Sequence, residues 1–81
     1  MDWAKLNADF MEEIGDSMKY AKMAETAEGC TRQMLMDMAW DEWNHAKHIC
    51  FMLKGHGLSE AGHKEQLHKA KEALVEIQKS W

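Results

Sequence analysis

The sequence is most informative first in what it lacks. Proline is absent from its 81 residues. With Ala, Glu, Lys, Leu and Met dominating the composition, that absence favours an all-helical chain. No apolar run approaches the ~20 residues that a membrane span requires, and no signal peptide opens the chain, so the expected compartment is the cytoplasm. There is no surplus of positive charge: the formal net charge is -4 and the basic residues are scattered, which argues against a nucleic-acid partner. Cysteine is scarce. Cys30 and Cys50, read as lying on or at the edge of one helix, stand roughly 30 Å apart at 1.5 Å rise per residue, too far for an intrachain disulfide. They read as free thiols that pack as small hydrophobes. No nucleophile elbow, phosphate-cradling glycine loop or His-Glu-x-x-His motif is present, so hydrolytic and phosphoryl-transfer chemistry finds no support.

What is present predicts one small domain, residues 1–81, of three helices at about 3–27, 31–54 and 60–80. Asp2 can cap the first helix. Glu28-Gly29-Cys30-Thr31 reads as a turn with Thr31 as the next N-cap, and so short a connection makes the first two helices antiparallel neighbours. Gly55-His56-Gly57 ends the second helix, and Ser59 caps the third. The third helix carries an apolar stripe of Leu67, Ala70, Leu74, Ile77 and Trp81, and its first two turns are polar enough to predict weaker packing. Gly15 inside the first helix costs about 1 kcal/mol relative to Ala, which predicts a close helix approach there.

The chemistry concentrates in Asp41-Glu42-Trp43-Asn44-His45. At helical spacing, Leu35, Met38, Glu42, His45, Ile49 and Met52 form one stripe, so a carboxylate and an imidazole stand mid-way along a face expected to be buried. Burying ionisable groups without partners costs several kcal/mol. The first helix presents Leu6, Phe10, Glu13, Ser17, Tyr20, Ala24 and Ala27 in the same way, widened by Ile14, Met18 and Ala21. Glu13 is thus the inward carboxylate, while Glu12 is solvated and Asp16 sits at the stripe's edge. Counted from the turn, Glu13 and Glu42 differ in depth by roughly 4 to 5 Å, within the reach of a Glu side chain. Glu13, Glu42 and His45 therefore form a candidate metal-ligand set.

A two-helix layer leaves its inner face open, and the simplest second layer is another copy of the chain across a two-fold axis. The expected fold is all-α: an antiparallel hairpin plus a C-terminal third helix, dimerising into a four-helix bundle. That bundle carries one Glu from each of two helices and Glu-x-x-His from each of the other two, the ligand set of di-iron carboxylate bundles. Carboxylate and imidazole donors suit iron or manganese, with zinc as a further candidate and Cu(I) disfavoured.

Glu13, Asp16, Tyr20 and Glu42-Trp43-Asn44-His45 resemble the first half of a ferritin-like or rubrerythrin-like bundle. In such bundles a Tyr follows the helix Glu by seven residues, and Glu-x-x-His lies about thirty residues further on. The likeness spans roughly residues 6 to 55 and is nearest in chain size to the half-ferritins typified by encapsulated ferritin, whose site forms between two chains. The resemblance implies binding of Fe(II) and its oxidation by O2 or peroxide, with Glu42 bridging two metals, Glu13 and His45 as terminal ligands, and Tyr20 a hydrogen-bond donor behind them. The segment Glu76 to Trp81 does not resemble the peptide that directs such proteins into a shell.

Plainer readings stand beside these. The three groups could protonate or hydrogen-bond one another in a weakly packed bundle, and Tyr20 could be an ordinary interface aromatic. His48 could add a ligand. His56, His63 and His68 with Cys50 match no compact zinc spacing. Trp3, Trp40, Trp43 and Trp81 read as packing and interface anchors, and the methionines as fillers of helix faces. The rival function is a small helical assembly or adaptor module with a structural or vestigial metal site.

Overall fold

The computed structural model describes all residues, 1–81. It contains three helices and no strand: α1 (Trp3–Thr26), α2 (Gly29–Gly55) and α3 (Ala61–Lys79). Each lies within a residue or two of its predicted span. Asp2 caps α1 as expected, its carboxylate accepting the Lys5 backbone N–H at 3.0 Å. None of the three helices is long and apolar enough to cross a membrane.

Two caps differ from expectation. Only Ala27 and Glu28 connect α1 to α2, because Gly29, at φ +60°, turns the chain and begins the next helix at once. Thr31 therefore lies inside the first turn of α2 and is not its N-cap. At the other end, Gly57 (φ +71°) closes α2 in a Schellman arrangement, with Gly57 N–H donating to the Lys54 carbonyl and Leu58 N–H to that of Leu53. The residue that caps α3 is Glu60, not Ser59; its backbone N–H donates to His63 Nδ1 at 3.0 Å.

The third helix decides which faces are buried. It lies across one side of the hairpin, with Ala70 and Leu74 fully in the core and Leu67 and Ile77 packed against it. Two indoles fasten it: Trp43 donates to the Leu67 carbonyl at 2.8 Å and Trp40 to Gln78 Oε1 at 2.9 Å. The core of α1 is accordingly Phe10, Ile14, Ser17, Ala21 and Ala24, and that of α2 is Met36, Ala39, Ala46, Ile49, Cys50 and Leu53. This corrects the predicted stripe of α2. Of Leu35, Met38, Glu42, His45, Ile49 and Met52, Ile49 alone is buried, and Met38 and Met52 are 42% and 44% exposed. That stripe presumes a hairpin covered on its inner face, whereas α3 draws the core around to the other side.

The polar start of α3 is mostly exposed, as its composition predicts, and is held by a single buried anchor. His63 is buried edge-on to Phe10, and its Nε2 lies 2.6 Å from Asn7 Oδ1. Because Nδ1 accepts from Glu60, Nε2 carries the proton and donates to Asn7. The expectation at Gly15 is overturned: a Cβ placed there would meet nothing within 4 Å, so no helix of this chain approaches it.

Two outcomes follow for stability. Gly15→Ala should stabilise the chain by about 1 kcal/mol, a melting rise of roughly 4–8 °C; an unchanged or lowered melting temperature would mean that something does press on this backbone. Asn7→Ala leaves the His63 N–H without its acceptor and should cost about 1 kcal/mol or more in a chemical denaturation series, with the m-value unchanged.

Candidate metal centre

Glu13 lies fourteen residues before Ala27 and Glu42 fourteen after Glu28, so the two-residue connection brings them to one level of the hairpin. The early start of α2 removes the depth offset that the sequence alone implied. His45, one helical turn beyond Glu42, reaches the same level from the same face. One donor atom from each of Glu13, Glu42 and His45 lies within 4.8 Å of the others, the arrangement predicted for a metal-ligand set.

Distances show how the three are held. His45 Nδ1 is 3.5 Å from Glu13 Oε2 and 3.6 Å from Glu42 Oε1. Both are longer than a good N–H···O hydrogen bond, about 2.7–3.2 Å. The two distances to His45 fall within the roughly 3–4 Å that separates ligand atoms each about 2.0–2.2 Å from one metal, while the full set of three spans up to 4.8 Å. Both carboxylates are half-buried, whereas the His45 side chain is 57% exposed. The cluster thus opens to solvent through the imidazole and closes behind Glu13.

Glu13 carries the electrostatic cost. Its Oε2 is buried and has no hydrogen-bond partner. Ionised carboxylates only accept, so Glu13 and Glu42 cannot bond to each other until one of them takes up a proton. The Glu13 carboxyl is accordingly pushed up to about 7. Its hydrogen bond to Glu42 is the largest cause, followed by desolvation and by the Glu42 charge, against a smaller opposing pull from His45. A buried acceptor without a donor, beside a second carboxylate and an imidazole, fits a divalent cation by its donor chemistry.

The other candidates lie apart from the cluster. Tyr20 is half-buried two turns along the same face, packed against the Ala21–Leu74 core with the Lys19 ammonium 4.9 Å from its ring centroid, and its hydroxyl bonds to none of the three ligands. Asp16 is half-buried at the edge of the helix face, 4.0 Å from Lys19 and outside the cluster. His48 is exposed and outside the cluster. His63 is occupied by Glu60 and Asn7, Cys50 approaches Ser59 at 3.7 Å, and His68 pairs with Glu72 at 2.6 Å, so these residues form no zinc site. Sequence reasoning missed the structural role of His63, which no periodic pattern around it signals.

Comparison with protein families, with characterised proteins and with solved structures gives no match, so the resemblance to ferritin-like bundles rests on the residues themselves.

The raised Glu13 carboxyl has a signed consequence for the metal-free protein. Between about 4.5 and about 7 the folded chain holds a proton that the unfolded chain has released. The Glu13 contribution is therefore fully present below the lower limit and is lost as pH rises through the upper one. Melting curves in chelator should show wild type losing ground to Glu13→Gln across this window and then running parallel to it. A gap independent of pH would exclude the coupling.

Proposed function

We propose that Glu13, Glu42 and His45 bind a divalent transition metal, with iron as the native ion and manganese and zinc as competitors. Two copies of the chain join their open hairpin faces around a dinuclear site, and the reaction is oxidation of Fe(II) by O2 or peroxide. The observation that carries the reading is the buried, partnerless Glu13 Oε2 facing a second carboxylate and an imidazole.

Two shortages support the dimer. Three ligands from one chain leave a first-row metal short of a full coordination sphere. The hairpin face around them leaves Met34, Met38 and Met52 exposed, apolar surface that lacks cover. A second copy across a two-fold axis supplies both the ligands and the cover, and brings the carboxylates to four, which balance two divalent cations.

Bound iron supplies the one-electron Fe(II)/Fe(III) couple. The chain's own residues do the rest. On the family resemblance, Glu42 would be the carboxylate shared between the metals, with Glu13 and His45 as end ligands. Glu13 exchanges its proton for the cation, so uptake releases acid below neutral pH. His45, the exposed member, faces the route by which ions and oxidant arrive. Tyr20 serves as a hydrogen-bond donor along the assembled face, where its hydroxyl is unused.

The exposed methionines also favour a second reading, a helical assembly module in which metal only holds copies together. One series separates the two. Purified metal-free protein is loaded anaerobically with Fe(II) and then given air; near-ultraviolet absorbance should rise faster than in protein-free buffer, and Glu42→Ala and His45→Ala should abolish that excess. Absorbance growing no faster than the uncatalysed rate overturns the oxidase. Variants that lose metal while keeping the dimer mass and melting temperature assign the metal to chemistry, whereas loss of the dimer with the metal assigns it to assembly.

A further inference from the structure

The side of α1 turned away from Glu13 forms, with α3, an open groove of about 820 Å³. That volume falls within the about 300–1,000 Å³ typical of small-molecule sites. Its apolar lining includes Ala21, Ala73, Ile77 and Met18; Gly15 borders it on α1, and Arg32 and Trp81 border it near the α1–α2 turn. From Glu25 to Gly15 the α1 wall runs about 15 Å.

Charge at the groove runs against that of the chain. The protein is net negative, -4, yet Lys19, Lys22 and Arg32 line the rim against Glu25 and Glu76. Lys19 already faces Asp16 and Glu76 faces Lys79, which leaves Lys22 and Arg32 against Glu25 alone. Arg32 is half-buried and pairs with no carboxylate of the chain. Its Nε donates to the Ala27 carbonyl at 3.1 Å and its guanidinium lies 5.1 Å from the Trp81 ring centroid. These contacts fix the guanidinium plane and leave its two terminal nitrogens to engage a carboxylate.

Gly15 sets the free length of the groove. It is not in the left-handed region, and nothing in the chain needs the space its missing side chain leaves. Its missing side chain leaves that end of the groove open along the α1 backbone.

We propose that this groove binds a linear amphipathic carboxylate, its head on Arg32 beside Lys22 and its alkyl tail laid along Ala21, Ala73 and Ile77 towards Gly15. The site lies across α1 from the metal centre, so its test uses chelator-treated protein and is independent of the metal reading. Dodecanoate, kept below its micelle concentration, is titrated calorimetrically, with dodecyltrimethylammonium as the cationic control. One molecule per chain should bind, about tenfold or more tighter than the cation, and Arg32→Gln should remove about tenfold of that affinity, as expected for one charge-assisted contact. Lys22→Gln gives a second probe, at an exposed residue, with a smaller loss in the same direction. Gly15→Leu should shift the preference to octanoate. No saturable binding, equal affinity for the two amphiphiles, or indifference to both charge variants overturns the proposal. So does a Gly15→Leu variant that changes the native mass but binds dodecanoate normally, which would make the groove a contact between copies.

Discussion

Two carboxylates held at one level of a helical hairpin, one with an oxygen cut off from water, form the constraint on which the rest of this structure turns. Ionised together they repel and neither can donate to the other. The chain offers an imidazole at about 3.5 Å as partial compensation. What remains uncompensated is met by a proton, which is why the Glu13 carboxyl rises to about 7, or by a cation. The same geometry therefore leaves the metal-free protein under an electrostatic tension that, on the function proposed above, a bound cation would relieve in place of the proton.

The hairpin alone would present that cluster on a face with no back. The third helix gives it one by packing on a single side, fixed by the Trp40 and Trp43 indoles and by Leu74. Its one-sidedness has two effects. The core is drawn away from the acid cluster, leaving His45, Met38 and Met52 open. On the far side of α1 the packing is incomplete too, and the gap beside Gly15 stays unfilled. An 81-residue chain has little apolar surface to spend, and one short helix cannot cover both sides of a longer hairpin.

The residues that the sequence brought forward as ligands are those the structure brings together, because two local quantities are enough to place them. Helical spacing puts residues three and four apart on one face, and a short connection makes two helices antiparallel. Thr31, Ser59 and the Met38–Met52 stripe were read less well, for one shared reason. Capping and burial depend on where a helix begins and on what lies over it, and neither is encoded in the periodicity of the helix itself. His63 escaped for the same cause: its partners Asn7 and Phe10 stand more than fifty residues away.

By itself, then, the sequence determined the all-helical class, the three spans, the antiparallel hairpin and the identity of Glu13, Glu42 and His45 as one group, since each follows from local propensity and the rise per residue. Only the tertiary structure decided which side of the hairpin α3 covers, and hence that the acid cluster opens to solvent while His63 is enclosed. Burial is a relation between elements, settled by how side chains far apart in the chain fill common space.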